Sequence, residues 1–350
     1  MSVSAEQTPS HARHRRGSMR RRRLVVLIVV LAMVAVLSGY EYLVHGVGGP
    51  GTPVTSEITS GESFSSVATD LANHGVISST VALRLFDLFH GTPSVQPGYY
   101  ALTKNSTFQA VHDVLGGGPN VTALTVPPGF TIKEVEQRLA TETSATFTAG
   151  FKSIISEGAV HSPFQPPGST SLEGLIGSGT YLLQPGTEPL SLVKNLVARF
   201  NAQAASVGLT PSTVLNGHDA YALATIASVV EKEGYQVRNM ARVSRVVENR
   251  LARSMPLQMD STVLYAIGQD GGPVSSSTEQ IRSPYNSYLN SGLPPTPICT
   301  SSVAALGATM HPAVGAWLYF TLIDKTGTMG FSTTFAGQLA NEKLAASNGV

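Results

Sequence analysis

The chain is 350 residues long, enough for about two domains with sizeable cores. A composition of 42% hydrophobic and 13% charged residues excludes a disordered polymer, and the single cysteine, Cys299, excludes an internal disulfide framework. The 23 Lys and Arg nearly balance 22 Asp and Glu, but seven arginines precede position 24. That leaves 16 basic against 21 acidic residues, a formal −5, which argues against a body built to bind nucleic acid.

Residues 1–23 read as a basic tail, with 1–18 polar, aperiodic and expected to be disordered. Leu24 to Tyr40 follows without a charge, and residues 24–43 are expected to form a single N-terminal transmembrane helix, with Tyr40 and Tyr42 at the interface. Arg20 to Arg23 place the tail in the cytoplasm and the rest of the chain outside it. The competing reading is a cleaved signal peptide, but no clear Ala-x-Ala site follows the apolar run. Residues 44–56, rich in Gly and Pro, read as a flexible linker. Within 57–120, helices are expected after Ser63, over Val81 to Phe89 and over Thr107 to Leu115, with a strand at Gly98 to Thr103. Residues 121–345 read as a mixed α+β domain. It opens with a strand at Val121 to Val126 and a helix capped by Thr131, and 141–170 are expected to be loops and short helices. Leu190 to Val207 reads as an amphipathic helix, and Trp317 to Asp324 with Met329 to Thr334 as a β-hairpin.

The stretch that carries chemistry runs from Asp219 to Gly268. Ala222, Leu223, Ile226, Val229 and Val230 recur at helical spacing. With Ile226 at zero and ~100° per residue, Val230 falls near roughly +40°, Val229 near −60° and Leu223 near +60°. Glu233 falls at about −20°, on the apolar stripe, while Glu231 at about +140° lies on the polar side. Gly234 is a natural C-cap. Burial and the negative end of the helix dipole both disfavour a charged carboxylate there, as a general acid near neutral pH requires. A frayed last turn pointing Glu233 at water is the alternative. A second helix is expected over Met240 to Leu251, with Glu248 on its polar face.

An ordered set of motifs surrounds this helix: Glu231-Lys-Glu233, Met255-Pro-Leu-Gln-Met-Asp-Ser-Thr262, Ser283-Pro-Tyr-Asn-Ser-Tyr288, Ala308-Thr-Met-His-Pro312, Trp317-Leu-Tyr-Phe320 and Phe331-Ser-Thr-Thr334. Together they resemble the MltG (YceG-like) family of membrane-bound endolytic murein transglycosylases, over roughly 55–345. The resemblance implies an α+β fold with a small LysM-like α/β module at 57–120 and a catalytic domain at 121–345. It also implies Glu233 as the catalytic acid, peptidoglycan strands as substrate and penicillin-binding synthases as partners. The sequence departs from the family at Gly177-Ser-Gly-Thr-Tyr181, where an aspartate is usual, and at Met329-Gly330, where a histidine is usual. Glu173 is kept, and reads as a helix or turn residue.

The reaction so implied is that of a lyase with one essential carboxyl. Glu233 protonates the glycosidic oxygen, then takes the proton of the muramic acid's own 6-hydroxyl as that oxygen closes onto C1, an intramolecular attack with a proximity advantage. Gln258, Asp260 and Thr262, then Tyr285, Asn286 and Tyr288, are the expected contacts to sugar hydroxyl, acetamido and ring groups. No catalytic metal or other cofactor is expected, since the histidines lack metal-ligand spacing and His311 before Pro312 reads as a turn or capping residue. The alternative function is a non-catalytic, membrane-anchored glycan-binding scaffold.

Overall fold

A computed structural model describes residues 13–45, 49 and 51–350. The chain divides into two units, Met1–Val121 and Thr122–Val350.

The first unit begins with α1 (Arg13–His45). Within it, Arg21–Tyr42 is long and apolar enough to cross a membrane, and it is the one such helix among the described residues. Its 22 residues extend about 33 Å at ~1.5 Å each, against a hydrocarbon core of about 30 Å. Of the tail expected to be disordered, 1–12 lie outside the described residues, and Arg13–Ser18 form the first turns of α1. The helix also outruns the expected anchor: Val44 is buried in the core of this unit and Tyr40 packs on the same cluster.

The expected linker is corrected in the same way. Positions 46–48 and 50 lie outside the described residues, but from Gly51 onward the chain is paired. Gly51 N donates to Lys104 O at 2.8 Å. β1 (Pro53–Ile58) then lies antiparallel to β2 (Gly98–Thr103), Pro53 opposite Thr103 and Ile58 opposite Gly98. Val54, Ser56 and Ile58 turn inward at the two-residue period of a strand, a signal that the neighbouring prolines and glycines mask. Between the strands stand α2 (Phe64–Asn73), capped by Ser63, and α3 (Thr80–His90), and α4 (Phe108–Gly116) follows them. Leu71, Leu83, Phe86, Tyr100, Phe108 and Val111 meet in the core.

The second unit opens with β3 (Thr122–Val126), α5 (Ile132–Glu142) and α6 (Ala145–Glu157). The 13-residue α6 is longer than expected for 141–170, and is capped by Ser144 and ended by Gly158 in the left-handed region. β4 (Gly179–Leu183) pairs antiparallel with β3, and α7 (Pro189–Ser206) packs on α6. A tight hairpin of β5 (Val214–Leu215) and β6 (His218–Asp219) turns through Asn216 and Gly217, both at positive φ. It delivers Asp219 as N-cap of α8 (Ala220–Glu233), the Asp219 carboxylate accepting from Ala222 N at 2.8 Å. Then come α9 (Val237–Leu251), α10 (Asp260–Ile267), α11 (Val303–Met310), the hairpin of β7 (Tyr319–Leu322) with β8 (Met329–Ser332), and α12 (Phe335–Ser347).

α8 is the shared wall of two cores. Leu223, Ala224 and Ala227 belong to the cluster of β3, β4, α5, α6 and α7. Ile226, Val229 and Val230 belong to the cluster of α9 with Leu257, Met259, Ile298 and Ala305. Every residue from Leu223 to Val230 is buried, so the helix has no solvent face along that stretch.

Candidate active site

At the C-terminal end of α8 a cleft of about 660 Å³ opens in the second unit. The first turns of α5, the last turn of α8 and the length of α10 supply most of its walls, and Glu173 and Ile298 come from loops. Glu233 lines it, as the helix angle required. Its Oε1 accepts from Ser261 Oγ at 2.6 Å and from Ser261 N at 3.1 Å, so the carboxyl caps the N-terminal turn of α10. Oε2 takes no hydrogen bond among the described residues and is not sealed in, so it faces the cleft. Burial pushes the Glu233 pKa up, the Ser261 bonds oppose that, and the Asp260 charge adds to the rise. Gly234 closes α8, but with φ −66 rather than in the left-handed region. The site needs glycine because a Cβ there would come within 2.6 Å of Met240 Cγ and 2.7 Å of Val230 O.

Glu231, on the polar side, is half-buried and not free. Its Oε2 accepts from Ser302 N at 2.8 Å and Ser302 Oγ at 2.6 Å, holding the start of α11 against α8. Glu248 is corrected: it is buried, with Oε2 3.5 Å from His218 Nε2. Among the other carboxyls of the cleft, Glu173 is the buried one, although its sequence setting marked it only as a helix or turn residue. Its oxygens accept from Ile132 N at 3.1 and 3.3 Å and from Tyr265 Oη at 3.4 Å. It thus caps α5 from outside, beside the capping box of Thr131 and Glu134. Burial pushes its pKa up to about 7 against those bonds. Gly174 fixes this loop: it sits at φ +68 and a Cβ would clash with Pro297.

Of the six residues expected to touch a glycan, Asp260 lines the cleft, exposed, and accepts from Tyr288 Oη at 2.5 Å. Tyr288 stands behind it, half-buried. Gln258 is exposed but outside the cleft lining, at φ +50, its Oε1 held by Arg250 Nη1 at 3.1 Å. Tyr285 packs its ring 4.8 Å from that of Tyr265 and bonds Thr296. Thr262 and Asn286 are corrected, because both are fully buried. Thr262 Oγ1 donates to Met259 O and meets Ser287 Oγ, and Asn286 Nδ2 donates to Glu279 O and Ile281 O. Their polar groups are taken up by these loop contacts, and neither side chain lines the cleft. Tyr265 was not anticipated. It lies on α10 one turn after Ser261, and that i, i+4 spacing was the available signal. Lys232 and Asp270, 2.6 Å apart, line the same cleft. Cys299 is buried against Ser228 O, and burial raises its thiol pKa.

The two departures from the family pattern lie off this cleft. Thr180 and Tyr181 line a separate depression with Arg199, and Met329-Gly330 forms β8. Among the described residues, no group of three His, Cys, Asp or Glu side chains is placed to hold a metal ion.

Comparison with known proteins agrees with this architecture. The chain is 29% identical over 299 residues to an endolytic murein transglycosylase of Bacillus subtilis, covering 81% of this chain and 82% of that one. It is 28% identical to an endolytic murein transglycosylase of Streptococcus pneumoniae, covering 83% of this chain and 59% of the relative. The crystal structure of a YceG-like protein from Listeria monocytogenes superposes with a TM-score of 0.55 at 24% identity, over 82% of this chain and 98% of that one, a likeness of fold. The profile of the YceG-like family matches residues 56–344, most of the chain, which is therefore a member of that family.

Proposed function

We propose that the protein is a membrane-anchored lytic transglycosylase that cleaves the MurNAc-β-1,4-GlcNAc bond of peptidoglycan strands endolytically and leaves 1,6-anhydromuramic ends. The observation that carries this reading is the Glu233 carboxyl. One oxygen is fixed by Ser261, the other is open to a cleft, and the pKa is raised by burial. A raised pKa favours the protonated acid, which can donate to the glycosidic oxygen as the leaving sugar departs. The same Oε2, now basic, accepts the proton of the muramyl 6-hydroxyl while that oxygen bonds C1. Ser261 holds the carboxyl through both half-steps, and its bonds grow stronger when the charge develops.

The names of the bacillary and pneumococcal relatives support the substrate. For the remaining contacts we assign Asp260, steadied by Tyr288, to sugar hydroxyl or acetamido groups. The Tyr265 ring is assigned to a sugar face, backed by Tyr285. α1 supports a membrane anchor, and the arginines before it support a cytoplasmic N-terminus with the catalytic unit on the outer side. A penicillin-binding synthase as partner rests on the family resemblance alone. The test is product chemistry: purified protein incubated with uncrosslinked glycan strands should release fragments with anhydro ends. Fragments with reducing ends would mean hydrolysis, and intact strands would remove the enzymatic reading.

A further inference from the structure

Among the described residues of the first unit, apart from α1, the large apolar residues that stand exposed are Val81, Leu85, Leu88 and Phe89, all on α3. With Leu85 at zero, the other three fall between about −60° and +40°, a single arc along the helix. Leu88 is 78% and Phe89 82% exposed, in a unit that otherwise buries its large side chains. The inner face of α3 is conventional: Ala82, Leu83 and Phe86 enter the core. The one acidic residue of α3, Asp87, is turned inward onto His112 Nε2 at 2.6 Å, so the outer arc carries no negative charge. α3 is in contact with α1, whose Tyr40 and Val44 belong to the same core. The helix is thus held beside the end of the apolar run, where Tyr40 and Tyr42 mark the lipid–water boundary.

We propose that the outer arc of α3 is a lipid-contacting surface, which dips Val81, Leu85, Leu88 and Phe89 into the outer boundary of the bilayer that α1 crosses. The occupant is lipid because α3 packs against α1, whose apolar run stands uncovered along its length. Interfacial helices sit with the apolar face about 5–10 Å into the headgroup–acyl boundary. With α1 fixing the position and α3 the tilt, the first unit lies on the membrane instead of standing off it on a tether. The inference rests on α1 as a bilayer span.

The experiment uses the full chain reconstituted in phosphatidylcholine vesicles, with an environment-sensitive fluorophore on single introduced cysteines. Leu88→Cys tests the arc. Met33→Cys, inside α1, reports the anchor. Gln109→Cys reports the exposed face of α4, whose inner face packs on the inner face of α3. The native thiol is buried, and the unsubstituted chain serves as labelling blank. Lipids bearing a shallow nitroxide should quench the label at 88 severalfold more than the label at 109. Equal, weak quenching at 88 and 109, with 33 quenched by a deep nitroxide, overturns the proposal and leaves the anchor standing. No quenching at 33 overturns both. A label at 88 that is dehydrated yet unquenched, more so at higher protein density, means that protein covers the arc and overturns the lipid assignment.

Discussion

Replacing Glu173 by Gln should flatten the dependence of stability on pH. The carboxyl is buried, and its pKa rises from 4.5 to about 7 in the folded protein, mainly through loss of hydration. Between those values the folded state holds a proton that the unfolded chain has released, so stability must fall as pH rises. At ~1.36 kcal/mol per unit, the whole shift is about 3 kcal/mol, of which about 2–3 kcal/mol is lost between pH 5 and pH 8. The amide keeps the geometry: its oxygen can still accept from Ile132 N, and its NH2 can donate to Tyr265 Oη. Glu233 contributes in the same direction, but it is present in both proteins, so the difference between their profiles isolates Glu173. The assay is urea unfolding in mild detergent from pH 5 to 8, followed by the fluorescence of Trp317, the single tryptophan, which reports on the second unit. The wild type should lose about 2–3 kcal/mol more than Glu173→Gln across that range. Parallel profiles would refute the buried, proton-holding Glu173.

Ser261→Ala removes the 2.6 Å donor to Glu233 Oε1 and should raise the Glu233 pKa further, because that bond favours the charged form. The alkaline limb of the pH–rate profile, set by loss of the acid, should move to higher pH, and an unmoved or lowered limb would contradict the assignment. Glu231→Gln weakens the charged cap on α11 and should lower stability by about 1–3 kcal/mol while activity per folded molecule is retained. Denaturation and turnover measured on one preparation separate the two effects. Gly174→Ala should cost about 2–4 kcal/mol, since it combines positive φ with a clash against Pro297. A melting curve unchanged from wild type would contradict that packing.

What the sequence disclosed follows from how local each signal is. The period of α8 puts Glu233 on the stripe of Ile226 and Val230, a signal that lies within a few residues of it, and Glu233 lines the cleft. The same wheel could not show that Glu231, half-buried on the other side, is tied to Ser302 at the start of α11, a contact 71 positions away. Glu173 meets Ile132 and Tyr265 across 41 and 92 positions of sequence, contacts that no local pattern encodes. Thr262 and Asn286 belong to polar motifs, but their partners are Met259 O and Ser287 Oγ for the one and Glu279 O and Ile281 O for the other, so their chemistry is turned inward. β1 was hidden by the Gly/Pro-rich approach to it. Its strand identity comes from pairing with β2, which lies 40 positions on where Ile58 faces Gly98 and 50 positions on where Pro53 faces Thr103.

We propose that one carboxyl, that of Glu233, serves as acid and then as base. Glu233→Gln keeps the size of the side chain and can still accept from Ser261, but it has no proton to give. Loss of general acid–base help typically lowers rates about 10²–10⁴-fold, and a group used in both half-steps belongs at the top of that range. The measurement is a count of 1,6-anhydro ends released from uncrosslinked glycan strands by wild type and by Glu233→Gln, with near-wild-type circular dichroism showing that the variant is folded. Anhydro products are expected from the wild type, with a loss of about 10⁴-fold in the variant. Anhydro products formed at a comparable rate by Glu233→Gln would contradict it.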